Sequence, residues 1–480
     1  MGSVIVNEKT KEKCQIFTPI EIVDKMLDLL GYSHNLYGKS ILESSCGNGQ
    51  FLKEIVRRYI NDCKMNGLSR TRIKNGLRRD IYGIELDPML YQECIISLNE
   101  ITDSFNIKRV SWQIKNADAL RDPFQRSFDF IVGNPPYVSY WDLDSTERCY
   151  IEENYSACQF GAWDYSYAFL QDGFSRLNQG GRMAFIVPNS VFKTNAGIHI
   201  RNLLRPYVTA IYDYTTTNVF ENVLTSPAIL VVNKATPTEH ICYHDLSRRE
   251  NIIIESVALG DSWVFKKQTQ TNNGIHRFGD YFQVSTSIAT QCNKVFVLKG
   301  WTEENQFLYN GETRIEKAAV RKAASPRGKS SNAQEYIIFP YYYLEGKLNR
   351  YSEDDYKKLF PFSYEYLNHA RTELEKRDAD KNSKWFEYGR SQALAHINCE
   401  KLILSTVITG RVRAYKLDDN EVPYSGLFIT IKDREDGLTL DTAEEILASG
   451  SFWNYIVPHG INARGKSIRI VAKNVLDYCW

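Results

Sequence analysis

The 480-residue sequence has no long hydrophobic run and no excess of charge of either sign. No stretch approaches the roughly 18 consecutive apolar residues of a membrane-spanning helix, so we expect no membrane segment. The first residues also lack the charged, apolar and small segments of a secretory signal, which favours a soluble protein of the cytoplasm. Because the formal net charge is only +1, nucleic-acid binding cannot be predicted from net charge and would depend on local basic clusters.

Cysteine and histidine are present, but their spacing is not that of a metal site. None of the ten cysteines forms a Cys-x-x-Cys pair, and the eight histidines do not cluster with them. We therefore expect no bound metal, and we expect the thiols of a long chain without a signal to stay reduced. With 43% hydrophobic and 24% charged residues, the composition is that of an ordinary globular protein.

Strands and helices alternate over the first half of the sequence. Apolar runs that predict strands are followed by segments with apolar residues at helical spacing, as in 39–60, 80–101 and 128–178. This alternation is typical of an α/β fold with a mostly parallel sheet and helices on both faces. Such sheets bind ligands at the carboxyl ends of their strands, so the residues that follow each strand are the first candidates for a site.

The pattern changes after about residue 240. Strand-like runs such as Tyr336–Tyr343 and Lys401–Leu404, with a charged helical segment at 363–377, indicate a mixed α+β region. The basic stretch Arg314–Lys329 holds six basic residues and one acid, which predicts either a phosphate-contacting loop or a disordered surface loop. We predict a first domain over residues 1–240 and a second over residues 241–480.

The most specific signal is Asn134-Pro135-Pro136-Tyr137, directly after the strand predicted at 128–132. The two prolines fix φ at about −65° and stiffen the backbone. The Asn134 side-chain oxygen and the Pro135 carbonyl can then point together as two acceptors, which suits an amino group on a planar ring. Tyr137 offers a flat face on which that ring can stack. The less specific interpretation is a rigid turn that ends the strand.

A second signal is the glycine-containing turn Cys46–Gly49, which comes shortly after the strand ending at Glu43. Glycines at a strand-to-helix turn let a ligand approach the backbone. Glu85 follows the next predicted strand, where an acid can accept ribose hydroxyls. Asp118 follows the third and could accept from an adenine amino group. Three acids after three successive strands outline a nucleoside site, whereas any one alone would be a solvated strand end.

The order of these motifs resembles that of the γ-type DNA adenine-N6 methyltransferases of bacterial type II restriction–modification systems. The matching segments lie within residues 14–234 and are Gln15–Pro19, Glu43–Leu52, Gly83–Pro88, Asp118, Asn134–Tyr137, Asp164–Ser166, Gly180–Gly181, Phe185–Pro188 and Val219–Ser226. Residues 240–480 resemble the family's target-recognition domains only loosely, at Arg277–Asp280 and Trp385–Gln392. Two departures are Ser44-Ser45, where family members usually have Pro-Ala, and Ala119, where some carry a larger residue.

The resemblance implies a Rossmann-like SAM-dependent methyltransferase fold followed by an α+β domain that reads DNA. The implied reaction is methyl transfer from S-adenosylmethionine (SAM) to N6 of an adenine flipped out of double-stranded DNA, without a metal. Asn134, Pro135, Pro136 and Tyr137 would be catalytic, and Tyr137 and Phe220 would stack on the target base. The expected cofactor contacts are Thr18, Glu43, Ser45, Cys46, Gly47, Gly49, Glu85, Leu86, Asp118, Ala119 and Pro136.

Other substrates remain open. Asn-Pro-Pro-Tyr also resembles the motif of enzymes that act on an RNA base or on a glutamine amide of a protein, although a second domain of this size argues against most of them. Methylation of cytosine N4 is a smaller alternative, since that branch more often has Ser in place of Asn134. A DNA-reading subunit with an inactive catalytic fold is disfavoured because every acceptor position is filled.

The resemblance also implies a biological setting. The protein would lie in the cytoplasm of a bacterium or archaeon and protect host DNA against restriction. Only 14 residues precede Gln15, so we expect no nuclease fused in front, and a cognate restriction endonuclease would be a separate chain. The recognition sequence and the oligomeric state are not predicted.

Overall fold

The computed structural model describes residues 18–121, 124, 126–215, 226–235, 237–265, 274–432, 437–463 and 467–480. These residues fall into two units. The first contains the described residues up to 265 together with 461–463, and the second contains the remainder. The division therefore comes after residue 265, later than the predicted boundary at 240. No helix in these ranges is long and apolar enough to cross a membrane.

The first unit is built around a nine-stranded sheet. Its strands in chain order are β1 (Ile41–Glu43), β2 (Ile81–Glu85), β3 (Gln113–Asn116), β4 (Phe128–Gly133), β5 (Leu177–Pro188), β6 (Val208–Asp213), β7 (Pro227–Asn233), β8 (His240–Asp245) and β9 (Glu250–Glu255). Their spatial order is β3-β2-β1-β4-β5-β7-β6-β8-β9. All pairs are parallel except those that involve β7 or β9. The predicted mostly parallel α/β sheet is confirmed.

Helices cover both faces of this sheet. They are α1 (Ile20–Leu30), α2 (Gln50–Met65), α3 (Arg70–Asp80), α4 (Pro88–Ser104), α5 (Ser145–Asn154), α6 (Ser166–Arg176) and α7 (Ile198–Leu204), and a short strand at 461–462 belongs to the same unit. Successive residues of β1 point to opposite faces, since Ile41 packs in one hydrophobic cluster with Phe51 and Leu42 packs in another with Phe169. Burial on both faces explains why these strands are continuously apolar.

Two segments between the strands pack into the first unit. Residues 57–79 complete α2 and form most of α3, and Arg58 makes ion pairs with Asp24 and Asp28 of α1. Residues 138–163 contain a 3₁₀ turn and the helix α5, whose Ile151 is fully buried. Both segments are part of the packed unit.

The second unit has the predicted mixed α+β character. Its strands are β10 (Phe282–Thr286), β11 (Val297–Lys299), β12 (Thr302–Glu304), β13 (Phe307–Asn310), β14 (Thr313–Glu316), β15 (Val320–Ala324), β16 (Glu335–Ile338), β17 (Tyr341–Leu344), β18 (Lys347–Arg350), β19 (Lys401–Leu404), β20 (Val407–Ile408), β21 (Ala414–Leu417), β22 (Val422–Pro423), β23 (Leu427–Ile431) and, after the strand at 461–462 (β24), β25 (Ile468–Arg469). Two four-stranded sheets, β10-β23-β19-β21 and β11-β16-β15-β22, contain most of its buried strands.

Short helices surround these sheets. They are α8 (Phe278–Tyr281), α9 (Asn293–Phe296), α10 (Pro326–Ser330), α11 (Glu353–Leu359), α12 (Pro361–His369), α13 (Arg371–Glu375), α14 (Leu440–Ala448), α15 (Gly450–His459) and α16 (Ala472–Leu476). The helix predicted at 363–377 is two helices, α12 and α13, which are separated at Ala370.

Candidate active site

The carboxyl ends of β1 to β4 meet at one edge of the sheet, because these four strands run parallel. The glycine turn follows β1, Leu86 follows β2, Asp118 follows β3 by two residues, and Asn134 follows β4. The structure therefore brings together, at this edge, the residues singled out in the sequence after four separate strands. This is the edge at which open α/β sheets bind their ligands.

The turn after β1 depends on glycine in a specific way. Gly47 and Gly49 have φ of 51° and 84°, in the left-handed region that glycine adopts without strain. The Gly49 N–H donates to the Cys46 carbonyl at 2.8 Å. A Cβ on Gly49 would stand 2.7 Å from the Cys94 Sγ, so this residue is also limited by space. The turn thus exposes backbone where a ligand can approach it.

Glu85 fastens this turn to the end of β2. Its Oε2 accepts from the Gly47 N–H at 2.7 Å and its Oε1 accepts from the Asp87 N–H at 2.8 Å. Burial raises the pKa of this carboxyl above its ordinary value, against the opposite effect of the two N–H donors. Each carboxylate oxygen has a second lone pair, so Glu85 can still accept hydroxyls from a ligand. Beside it, the Leu86 side chain is 49% exposed.

Glu43 is buried with one oxygen unsatisfied. Its side chain ends β1 at 2% exposure, and its Oε2 has no hydrogen-bond partner among the described residues. Burial, and then the nearby Cys94 and Glu85, raise the pKa of the Glu43 carboxyl well above its ordinary value. An unpaired buried acceptor is costly, so this oxygen marks a place where a donor or a positive charge from a ligand would be stabilised.

Asp118 is held in place by a partner that the sequence analysis missed. Its Oδ1 accepts from the Leu120 N–H at 2.9 Å, and its Oδ2 accepts from the Arg121 Nε at 2.9 Å. Arg121 also pairs with Glu147 of α5, and its guanidinium lies 3.9 Å from the centre of the Tyr150 ring. These contacts fix the orientation of the Asp118 carboxylate, whose remaining lone pairs can accept hydrogen bonds from a ligand.

The segment after β4 is tied by hydrogen bonds to the glycine turn and to Thr18, two residues before α1. The Ser45 Oγ donates to the Asn134 carbonyl at 3.3 Å. The Asn134 Nδ2 donates to the Thr18 Oγ1 at 3.4 Å, and Thr18 is buried. These two bonds fix the Asn134 backbone relative to the turn and orient its amide.

The hydroxyl of Tyr137 is buried and has no hydrogen-bond partner among the described residues, whereas the residue as a whole is partly exposed. Its ring packs against the hydrophobic cluster of α1 and α2. Burial, and then the charge of Asp164, raise the pKa of the Tyr137 hydroxyl. Burial likewise raises the pKa of Asp164 to about 6, although Ser166 donates to this carboxylate from its N–H and Oγ.

The backbone after Tyr137 is fastened by the segment that precedes α6. The Tyr165 N–H donates to the Val138 carbonyl at 2.9 Å, and the Tyr140 N–H donates to the Trp163 carbonyl at 3.2 Å. Trp163 and Tyr165 are both buried. The Asn-Pro-Pro-Tyr segment is therefore held on both sides, by β4 before it and by this pairing after it.

The other predicted site residues differ in their accessibility. Cys46 and Ala119 are buried, at 4% and 6% exposure, so they would shape a site from within the core. Pro135 is buried and Pro136 is partly exposed. Phe220 and the segment Gln15–Phe17 lie outside the described residues. In the described ranges, no group of three or more His, Cys, Asp or Glu side chains could hold a metal ion.

Comparison with known proteins gives a family match over most of the chain. The model of the N-6 DNA methylase family matches residues 3–316. The type II restriction enzyme and methyltransferase RM.Eco57I of Escherichia coli is 22% identical over 88% of this chain and 52% of its own length. The type II methyltransferase M.PaeR7I of Pseudomonas aeruginosa is 27% identical over 46% of this chain and 40% of its own. The chain thus spans about half the length of such relatives.

Solved structures share the fold at low sequence identity. The type IIL restriction-modification enzyme MmeI, solved in complex with DNA, has a TM-score of 0.57 at 15% identity, covering 98% of this chain and 65% of that one. DrdV, also solved as a DNA complex, has a TM-score of 0.54 at 13% identity, covering 88% of this chain and 50% of that one. At these identities, the likeness shows the fold alone.

Proposed function

The chain belongs to the N-6 DNA methylase family, and on that premise we propose that it transfers a methyl group from SAM to N6 of an adenine in double-stranded DNA. The observation that carries the proposal is the hydrogen bond from Ser45 to the Asn134 carbonyl, which joins the glycine turn to the Asn-Pro-Pro-Tyr segment at one sheet edge. Groups that hold a cofactor and groups that hold an amino group are thereby neighbours. The relatives named above, which are type II methyltransferases, support the same reaction.

The acids around the glycine turn fit SAM. Glu85 accepts the ribose hydroxyls, Asp118 accepts from the adenine amino group, and the exposed Leu86 offers apolar surface to that ring. The unsatisfied Oε2 of Glu43 fits the positive charge that the methionine part carries. Bound SAM supplies an electrophilic methyl group at the strand ends. Gly47, which has no side chain and is partly exposed, leaves room for it.

The Asn-Pro-Pro-Tyr segment holds the target base. The Asn134 side-chain oxygen and the Pro135 carbonyl accept the two protons of the adenine amino group, and the bond from Asn134 to Thr18 fixes which way the amide points. Tyr137 stacks on the base after it leaves the helix. The gain in rate comes from orientation and from acceptors that are already in position.

In this proposal, the second unit recognises the DNA sequence. The role we propose is protection of host DNA in a restriction–modification system, as the names of the relatives suggest. A cognate endonuclease would act on the same recognition sequence.

Transfer of labelled methyl from SAM to DNA that lacks methylation tests the proposed function. Nucleosides are separated by mass spectrometry and the modified positions are mapped by sequencing. We expect N6-methyladenine at one short sequence. N4-methylcytosine, or label found only in RNA or protein, would overturn the proposal in favour of the corresponding alternative.

Tyr137→Phe should retain methylation activity, and Tyr137→Ala should not. The hydroxyl has no partner among the described residues, so its removal costs no known hydrogen bond and relieves a buried polar group. Loss of the ring removes base stacking worth about 1–3 kcal/mol, or about 5- to 150-fold in kcat/KM. Steady-state kinetics and thermal unfolding of both variants measure this. Equal loss of activity in the two variants would show that the hydroxyl, not the ring, is needed.

SAM affinity should increase as the pH is raised above the range in which carboxyl groups ordinarily titrate. Burial holds the pKa of Glu43 well above its usual value in the free protein, and a positively charged ligand favours the ionised form. The pKa of Glu43 is then lower in the complex, so binding releases a proton and strengthens with pH until Glu43 is ionised without ligand. Calorimetry in buffers of different ionisation enthalpy measures the release. Fewer protons should be released on SAM binding in Glu43→Gln, and an unchanged proton release would contradict the role of Glu43.

A further inference from the structure

The basic stretch Arg314–Lys329 contains two kinds of cation. It forms β14, β15 and α10 with their connections rather than one loop. Four of its side chains are used inside the second unit, over aromatic rings or in ion pairs: Arg314, Lys317, Arg321 and Lys329. The other two, Arg327 and Lys322, are exposed and make no ion pair with a described residue. Arg327 lines one of the two clefts described below, and Lys322 lines neither.

Arg327 lines a groove that continues to two further cations. The groove consists of two adjoining clefts of about 260 and 560 Å³, which share Lys299 and Tyr424 as lining residues. Arg327 lines the first cleft, Lys294 lines the second, and Lys299 lies where they join. No carboxylate among the described residues lines either cleft. Lys294 does pair with Glu373 at 2.6 Å, but both side chains are exposed, so this pair is weak and the ammonium can turn to a ligand in the groove.

Lys299 is held in position by Glu335 and Tyr424. Its Nζ lies 2.9 Å from the Oε1 of Glu335, a carboxylate that is 6% exposed. The Tyr424 hydroxyl donates to the other Glu335 oxygen at 2.7 Å, and the Lys299 Nζ lies 5.5 Å from the centre of the Tyr424 ring. The bond to Glu335 raises the pKa of Lys299, so the ammonium stays charged. A ligand in the groove meets a cation that is already oriented.

Neutral donors complete the walls of the groove. Ser405 and Thr406 line the first cleft, and Asn310 and Thr313 line the second. Hydroxyls, amides and basic side chains are the groups that contact phosphate and sugar in protein–DNA complexes. Cations spread over two adjoining clefts suit a polyanion better than one small anion.

We propose that this groove holds the phosphodiester backbone of a DNA strand, with Arg327, Lys299 and Lys294 contacting its phosphates. The proposal rests on the proposed function, because it takes the DNA substrate as the ligand. It adds to that function the surface of the second unit that determines affinity without reading bases. It also distinguishes Arg327 from the other cations of its stretch as a residue that acts on DNA.

Arg327→Gln and Lys294→Gln should each weaken DNA binding uniformly. Each removes one phosphate contact, so the slope of log K against log salt should become shallower by about 1. At moderate salt the dissociation constant should rise about tenfold, because bonds to charged groups are the strong ones. Phosphates carry no sequence information, so cognate and non-cognate duplexes should lose affinity by the same factor. Fluorescence anisotropy of labelled duplexes with the full chain, over a series of salt concentrations, measures both quantities.

Lys322→Gln is the matched control. Lys322 is an exposed cation of β15 in the same stretch, and it does not line the groove. The substitution removes one positive charge, as the groove variants do, and should leave the affinity for DNA and its salt dependence nearly unchanged. Lys299 is not replaced, because its loss would leave the buried Glu335 without its cation.

The possible results separate the groove from the proposed function. If the two groove variants match Lys322→Gln, or if only cognate binding falls, the groove assignment is wrong while DNA methylation by the parent protein stands. If the parent protein neither binds nor methylates DNA, the proposed function itself is wrong. Unfolding temperatures equal to that of the parent protein exclude a folding defect as the cause of weak binding.

Discussion

Asn134→Ala should lower the turnover of methyl transfer by about 100- to 1000-fold and change SAM affinity by less than about threefold. The side-chain oxygen is one of two acceptors proposed for the adenine amino group, and loss of one preorganised hydrogen-bonding group costs this much in other active sites. The backbone carbonyl of residue 134, which accepts from Ser45, remains in the variant. The glycine turn should therefore keep its geometry, and cofactor binding should persist.

Thr18→Val serves as the graded control for Asn134. It removes the hydroxyl that accepts from the Asn134 Nδ2 but leaves the acceptor oxygen in place, so we expect a smaller loss of turnover. Single-turnover rates with cofactor already bound isolate the chemical step, and calorimetry gives SAM affinity. A parallel fall in cofactor affinity in Asn134→Ala would mean that Asn134 supports the turn rather than the target base.

Local sequence patterns predicted the part of the fold that forms the site. Short apolar runs that end in glycine, proline or an acid predicted β1, β2 and β4 to within about two residues at either end. These patterns suffice because a strand buried on both faces is continuously apolar, and because glycine and proline fix the backbone that follows. The positions of the glycine turn, Glu85 and Asn134 at strand ends follow from this.

Contacts between distant residues were not predictable in the same way. The pairing of Arg121 with Glu147 joins residues 26 positions apart on different elements, and nothing local distinguishes either residue. Strand β5 contains Gly180-Gly181, although a glycine pair locally favours a turn. The Gly180 N–H donates to the Lys234 carbonyl and the Lys234 N–H donates to the Gly181 carbonyl, so pairing with a distant segment keeps this glycine pair in the strand.

The end of the first unit was also missed, for a physical reason. Strands β8 and β9 are the last two strands at one end of the sheet, and some of their side chains remain exposed, including Ile253 at 72%. Their pattern is less apolar than that of the central strands, so the predicted boundary fell at residue 240, where β8 begins. In the basic stretch of the second unit, composition could count the cations, but only their contacts separate Arg327 from those already paired.

Glu85→Ala should weaken SAM binding by about 100-fold or more while turnover at saturating cofactor falls much less. Two hydrogen bonds from ribose hydroxyls to a charged acceptor contribute about 1.5–3 kcal/mol each. The substitution also leaves the N–H groups of Gly47 and Asp87 without their partner, which loosens the turn that the cofactor covers. The effect is thus opposite to that of Asn134→Ala, with affinity lost and chemistry largely kept.

Glu85→Gln separates the role of the two acceptor oxygens from that of side-chain size. The amide has only one oxygen, whereas the carboxylate accepts from Gly47 with one oxygen and from Asp87 with the other. In the variant, one of these N–H groups faces an NH₂, so glutamine should recover little of the lost affinity despite its matching size. Glu93→Ala removes an exposed carboxylate from α4 and should bind SAM like the parent protein. Affinity restored by glutamine would show that the size of residue 85, not its paired acceptors, supports the cofactor site.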